Sequence, residues 1–379
     1  MSEAARCIRF TVAARTRGLG DDGVTAAASP VLLGNVETVE SDARAAVDAL
    51  NRIAFLLERT NEPTYRVRAF RKAATTLSGL PAGELRRRYD DGTLEELAGI
   101  GKVTAAVIGD AMRGETPSYL LALQDKAEVP IVAGGASLRA ALQGDLHTHS
   151  DWSDGGSPIE EMMRAAIALG HSYVALTDHS PRLTVARGLS PDRLREQLAV
   201  VRRLNDELAP FRILTGIEVD ILEDGGLDQE PALLAELDVV VASVHSKLRM
   251  PREDMTRRMV TAIANPHMDV LGHCTGRLVV GRGRPESEFD AEVVFEACRQ
   301  FGVAVEINSR PERLDPPRRL LSLAVEMGCE FSIDTDAHAP GQLDWQPYGC
   351  ARAEECGVAV DRVINTKTAD ELLARRALR

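Results

Sequence analysis

Eight histidines occur in this 379-residue chain, and six of them, His147, His149, His179, His245, His273 and His338, stand at or just beyond the end of a short apolar run. Carboxylates occupy matching places: Asp154 shortly after His149, then Glu218, Glu306 and Asp336. A lone histidine at a strand end is ordinarily a hydrogen-bonded structural residue. Six so placed, with only His171 and His267 elsewhere, form a pattern that chance does not produce. His147 and His149 are two apart, as are Asp336 and His338, so each pair can point the same way from an extended backbone.

Imidazole with carboxylate and no thiolate suits zinc, manganese or iron and leaves coordination positions for water. His147, His149, Asp154, His179, Glu218, His245, His273, Asp336 and His338 are too many ligands for one ion. Two or three divalent ions, bridged by Glu218 and hydroxide, would use them all. Such a cluster lowers the pKa of a bound water toward neutrality while the same ions clamp phosphoryl oxygens. The expected chemistry is therefore hydrolysis of a phosphoester by a metal-bound hydroxide. His147, His149, Glu218 and Asp336 stand at its centre, and no Ser or Cys nucleophile is needed. Asp178 and Asp151 are expected to orient imidazoles, and Glu306 is a further potential ligand at the end of its run. Lys247, Arg277 and Arg310, each close behind a ligand, are candidates for binding substrate phosphate.

Residues so far apart in sequence need a scaffold that gathers them. From about Gly144 the chain alternates apolar strand-like runs with amphipathic stretches. The runs are Asp145-Leu-His, Tyr173-Val-Ala-Leu-Thr, Ile213-Leu-Thr-Gly-Ile, Val239-Val-Val-Ala-Ser-Val, Val270-Leu-Gly, Val303-Ala-Val and Phe331-Ser-Ile. Seven β-α units argue for a parallel sheet closed into a barrel, which brings the C-terminal ends of all strands to one face. Amphipathic stretches such as Pro158 to Leu169, Ser190 to Leu208 and Phe289 to Phe301 are the predicted outer helices.

The N-terminal third reads differently. Residues 1–38 show no sustained period and are expected to be a poorly ordered leader. From about Val39, Val47, Leu50, Ile53, Ala54 and Leu57 recur at spacings of three and four, and a second helix is predicted from Tyr65 to Leu77. Leu94 to Ala111 reads as helix, tight Gly99-Ile-Gly101 turn, helix, a geometry whose free backbone N–H groups can face a phosphate. The alternative is that the glycines simply end one helix and begin another. Arg68, Arg71, Lys72, Gly99, Gly101 and Lys102 are the candidate DNA-binding residues. The expected division is a leader over 1–38, a helical domain over 39–126, a Pro- and Gly-bearing linker over 127–142, and the metal-binding domain over 143–379.

Net charge is −12, yet residues 41 to 126 hold 13 basic and 12 acidic groups, so the excess negative charge falls mostly beyond them. That argues against nonspecific nucleic-acid binding by the whole chain and fits a carboxylate-rich metal site. No apolar run of about 18 residues would span a membrane and no apolar signal core opens the chain, so the expected compartment is the cytoplasm. Six scattered cysteines show neither disulfide nor zinc-knuckle spacing.

Taken together, His147-Thr-His-Ser-Asp-Trp-Ser-Asp-Gly155, Leu176-Thr-Asp-His-Ser180, Gly216-Ile-Glu-Val-Asp-Ile221, Ser243-Val-His-Ser246, Leu271-Gly-His-Cys-Thr-Gly-Arg277, Val305-Glu-Ile-Asn-Ser309 and Ile333-Asp-Thr-Asp-Ala-His338 resemble, in order, the motifs of the polymerase and histidinol phosphatase (PHP) domain family. The resemblance implies a distorted seven-stranded barrel with a trinuclear centre. His147, His149, Glu218 and Asp336 would hold one ion, Glu218, His245 and His273 a second, and Asp154, His179 and His338 a third. Asp154 stands where many members use histidine.

Within the family the chain looks most like the PHP part of bacterial family X DNA polymerases. Residues 40–126 resemble their helix-hairpin-helix domain through Arg68-Ala-Phe-Arg-Lys-Ala-Ala74 and Gly99-Ile-Gly-Lys102. The short stretch between the two regions leaves no room for a polymerase palm, and Val107 occupies the place of the Schiff-base lysine of related eukaryotic enzymes. The resemblance implies a phosphoesterase acting on DNA 3′ ends, as a 3′-5′ exonuclease or end-processing enzyme. The alternative is a phosphomonoesterase of the histidinol-phosphatase type.

Overall fold

The computed structural model describes residues 31–127 and 129–377. The apolar face read from sequence forms the long helix α1 (Val31–Arg59), followed by α2 (Thr64–Ser78), α3 (Glu84–Asp90), α4 (Lys102–Met112) and α5 (Ser118–Ala127). Leu50, Ile53, Ala54 and Leu57 of α1 pack with Phe70, Ala73 and Leu77 of α2 and Val107 and Ile108 of α4 in one buried cluster. Of the expected leader, residues 1–30 lie outside the described residues, whereas residues 31–38 belong to α1. No proline interrupts the chain from Val31 to Arg59. The expected helix before the Gly-Ile-Gly turn is only a 3₁₀ turn, Leu94–Glu96. Gly92 at φ +68° and Gly99 at φ +87° are both left-handed and leave room between them for a single turn.

A short helix, α6 (Ala136–Ala141), leads into the first of seven β-α units. Strands β1 (Gly144–Thr148), β2 (Tyr173–Leu176), β3 (Arg212–Asp220), β4 (Val239–Ser243), β5 (Val270–Leu271), β6 (Ala304–Asn308) and β7 (Phe331–Asp334) fall on the seven predicted runs. They pair in parallel in sequence order. The sheet nearly closes on itself: Thr148 bridges Ala337, and the His149 N–H donates to the Ala337 carbonyl at 2.8 Å. Between and after the strands run α7 (Ile159–Ala168), α8 (Pro191–Leu208), α9 (Pro231–Glu236), α10 (Arg252–Ile263), α11 (Ala291–Phe301), α12 (Arg318–Glu326), α13 (Gln346–Glu355) and α14 (Ala369–Ala377).

Alternation along the strands separates two apolar regions. Tyr173, Ala175, Leu214, Val239, Val241, Val270 and Ala304 fill the barrel together with Ile364 and Leu372. The opposite parity, including Ile217, Val219, Val240, Ala242, Val305 and Ile307, packs on the outer helices. On β3 the inward series runs Leu214, Gly216, Glu218. The face that fills the barrel with hydrocarbon at one end therefore presents a carboxylate at the other. Among the described residues no helix is long and apolar enough to cross a membrane.

Candidate metal centre

Every strand but β6 delivers a candidate ligand at or beyond its C-terminal end, the end that parallel pairing brings to one face. His147 lies within β1 and His149 just past it, Glu218 lies within β3, and His179, His245, His273, Asp336 and His338 occupy the loops that follow β2, β4, β5 and β7. Three groups of donor atoms converge, each with all its atoms within 4.8 Å of one another: His147, His149 and Asp336; His179, Glu218 and His245; and His149, Asp154, His179 and His338.

Glu218 sits in the middle. Its Oε2 is 3.3 Å from His147 Nε2, 3.6 Å from His149 Nε2 and 2.8 Å from His179 Nδ1. Its Oε1 is 3.3 Å from His245 Nε2 and 2.9 Å from His273 Nε2. On the rim, Asp154 Oδ1 lies 3.4 Å from His179 Nε2 and 3.3 Å from His338 Nε2. All nine sequence-derived ligands thus share one face. His273 meets Glu218 without joining any of the three compact groups, and His149 and His179 each face two of them.

The donor set can be tested by its hydrogen bonds. His147 Nε2, both nitrogens of His149 and of His245, and Glu218 Oε2 are buried and make none. Buried polar atoms are normally bonded, and this many unbonded imidazole nitrogens aimed at carboxylates fits bound divalent cations. Divalent ions bound here would be held by nitrogen and oxygen alone, since Cys274 is the nearest thiol in sequence and it faces Asp315.

Neighbouring groups fix the ligands. Glu306 Oε1 lies 2.6 Å from His147 Nδ1, and its Oε2 accepts the His273 backbone N–H at 2.5 Å. Asp220 accepts the His245 N–H at 3.0 Å and lies 3.4 Å from the same ring. Sequence reading passed over Asp220, although it stands two residues after Glu218 and so faces the same side. Asp178 orients no imidazole: it accepts from the Ser150 N–H at 2.9 Å, the Ser150 hydroxyl at 2.6 Å, the Ser153 hydroxyl, and Gln197 at 2.6 Å. It secures the loop that carries His149 to Asp154. Asp151 is exposed and orients nothing comparable.

Charge inside the site is strongly coupled. Burial alone would lower His147, but the Glu218 and Glu306 carboxylates outweigh it and hold the imidazole well above its usual value. His245 is also buried, and Glu218 and Asp220 lift it to about 9. Burial and the neighbouring His338 and His179 push His149 well below the usual range. Burial would raise Glu218, yet the charges of His147, His245 and His179 hold it well below an ordinary carboxylate. In the absence of cations, protons on some of the histidines therefore take the place of positive charge in the site, and acid competes with metal.

The rim opens into a cavity of about 490 Å³ lined by Asp154, His179, Glu218, His245, Asp336 and His338 and by Arg284, Arg310 and Arg313. Arg310, expected from sequence, lies 3.7 Å from Asp336 Oδ1. Arg313, missed from sequence, donates to Asp336 Oδ2 at 3.1 Å. Its spacing of three from Arg310 in the loop after β6 was the available signal. Arg277 is not on the cavity wall: its guanidinium donates to the carbonyls of Arg313 and Leu314 and faces Glu286 at 3.6 Å, so it clamps a loop. Lys247 is exposed and also lies off the wall.

The candidate DNA residues divide in the same way. Arg71 is turned inward, with two bonds of 2.9 Å to Glu58 and a contact with Glu161 on α7. Its guanidinium has bidentate carboxylate partners within the protein and is not a free surface cation. Arg68 and Lys72, one helical turn apart, are exposed and carry no ion pair among the described residues. The Lys72 stem lies where a Cβ on Gly99 would be, 2.7 Å from its Cε. Lys102 opens α4 beside Gly101, whose N–H donates to the Thr104 hydroxyl at 2.9 Å.

Sequence comparison decides the family. Residues 145–310 match the PHP domain, and residues 42–116 match a helix-hairpin-helix domain. A probable phosphatase of Thermoanaerobacter sp. (strain X514) is 30% identical over 59% of this chain and 89% of its own length. The chain belongs to the PHP domain family. A probable phosphatase of Acetivibrio thermocellus is 31% identical over 61% of this PHP protein and 95% of its own length. The DNA polymerase/3'-5' exonuclease PolX of Bacillus subtilis (strain 168) is 42% identical over 62% of this chain, and the match spans 40% of that relative. A crystal structure of histidinol phosphate phosphatase from Lactococcus lactis, complexed with zinc, L-histidinol and phosphate, aligns with a TM-score of 0.42 at 19% identity over 57% of this chain and 94% of that one. A likeness that weak carries no argument.

Proposed function

We propose that this PHP-domain phosphoesterase uses the nine convergent residues to hold two or three divalent ions, zinc, manganese or iron, and that its substrate is the 3′ end of DNA. The observation that carries the metal reading is the set of buried, unbonded imidazole nitrogens around Glu218. Bound ions would supply Lewis acidity and lower the pKa of water at the site. The chain's own groups do the rest. Glu306 and Asp220 orient imidazoles, while Arg310, Arg313 and Arg284 bring guanidinium groups to the wall where phosphoryl oxygens would lie.

The DNA reading rests on the exposed cations Arg68, Lys72 and Lys102 around the Gly99-Ile-Gly101 turn, in a region that matches a helix-hairpin-helix domain. Similarity to a 3'-5' exonuclease supports the same direction. A second reading, a small-molecule phosphomonoesterase, is favoured by the two probable phosphatases, which match along nearly their whole length. A side-by-side assay of a 3′-labelled single-stranded oligonucleotide and histidinol phosphate separates them. The DNA reading requires shortening of the oligonucleotide that His147→Ala eliminates; turnover of histidinol phosphate alone would reject it.

A further inference from the structure

The helical region touches the metal centre at its rim. The last turns of α1 rest on Pro340–Trp345, a segment that begins two residues after His338. The Gly341 N–H donates to Glu58 Oε2 at 2.8 Å, Arg59 Nε to Asp344 at 2.6 Å, and the Trp345 indole N–H to the Arg59 carbonyl at 3.0 Å. The approach is so close that a Cβ at position 341 would lie 2.1 Å from the Phe55 carbonyl oxygen. Within the same segment Gln342 accepts the His338 N–H at 2.7 Å, and the His338 carbonyl accepts the Gly156 N–H at 2.7 Å, two residues beyond Asp154.

Two further connections end at the same place. Arg71 links Glu58 to Glu161 on α7, the helix into which the Asp154 loop runs. Asn61 donates to Glu312 at 2.9 Å, Glu312 lies 3.6 Å from Arg310, and Arg310 lies 3.2 Å from His338 Nδ1. Among the described residues no side-chain bond from Glu58, Arg59, Asn61 or Arg71 runs to the loops after β3, β4 and β5. Asp154 and His338 are also the most exposed ligands, at 38% and 18% of their side-chain surface, whereas His147, His149 and Glu218 are fully enclosed by the barrel. His147 and Glu218 are held within strands, whereas Asp154 and His338 depend on what lies against their loops.

We propose that the helical region is a buttress for the rim ion. Glu58, Arg59, Asn61 and Arg71 are positioning residues that set Asp154 and His338, so docking of this region governs retention of one ion and not the others. The inference rests on the metal reading above. It is tested on the full-length chain by equilibrating wild type, Arg59→Ala/Asn61→Ala, Gly341→Ala, Glu58→Ala and Glu58→Gln with buffered zinc and counting bound ions by mass spectrometry. Circular dichroism checks folding, and Arg318→Ala, at a surface pair with Glu355, serves as control.

The docking variants should hold one zinc fewer than wild type, with that ion bound about 10–100-fold more weakly, while the inner ions stay. Glu58→Gln, which keeps an acceptor for the Gly341 amide, should retain more than Glu58→Ala. Asn61 is exposed, so the Arg59→Ala/Asn61→Ala chain gives an answer even where Gly341→Ala fails to fold. Wild-type zinc content in the docking variants, or equal loss of all ions, overturns the buttress. A wild-type protein that takes up no zinc, manganese or iron overturns the metal reading itself.

Discussion

Glu218 touches five imidazoles, so its charge is the one on which the others depend. Glu218→Gln should lower metal content and reduce phosphoester hydrolysis by more than about 100-fold, read by metal analysis and initial rates. Glu306→Gln, which weakens the hold on His147 Nδ1 without removing a ligand, should cost about 10–100-fold. A separate effect belongs to His171, far from the ligand loops at the start of β2. Both its ring nitrogens are buried without a partner, and burial, with the Arg139 charge, lowers it to about 3. Its unfolded value is about 6.5, so the unfolded chain binds the extra proton and stability is lost as pH falls from about 6.5 toward the folded value. In chelated protein, His171→Leu should flatten that limb, sparing about 2.7 kcal/mol at pH 4.5 relative to wild type in denaturant titrations. At this scale the convergence of the candidate ligands was readable because residue type and strand-end position coincide. Arg71 was misread because a cation's partner, here Glu58 and Glu161, is a tertiary fact.

At the scale of elements, α2 presents three faces with different roles. Phe70, Ala73 and Leu77 face the helical core, Arg71 faces α7, and Arg68 with Lys72 face solvent beside the Gly99 turn. Reversing the two exposed charges, Arg68→Glu/Lys72→Glu, should weaken binding of single-stranded oligonucleotide and reduce the salt slope by roughly 1–2, measured by fluorescence anisotropy across salt concentrations. Hydrolysis of histidinol phosphate, if present, should not change. The seven strands were legible because each is an apolar run of strand length bounded by turn residues. The single-turn Leu94–Glu96 and the α1 extension through residues 31–38 were not, since short turns and helix starts depend on backbone angles and packing more than on period.

Over the whole molecule, buried imidazoles and carboxylates gathered without hydrogen bonds destabilise the chain unless cations fill the space between them. Removal of metal with a chelator should therefore lower the melting temperature, and restoring zinc to about 100 times its dissociation constant should return about 2.7 kcal/mol per site. The acidic excess outside residues 41–126 places the negative field around the barrel, where it attracts cations, and leaves the helical region near neutrality with its cations locally exposed.

Periodicity and residue type along the chain determined that seven strands would alternate with helices and that imidazoles and carboxylates would gather at their ends, because each of those signals is local. Which cations point outward, which carboxylates steady which imidazoles, and how α1 and α2 bear on the loops of Asp154 and His338 were decided only by the folded arrangement. Several of those contacts, Glu306 with His147, Glu58 with Gly341 and Asn61 with Glu312 among them, join residues more than about a hundred positions apart, and chain spacing holds no record of which distant surface closes over a given side chain.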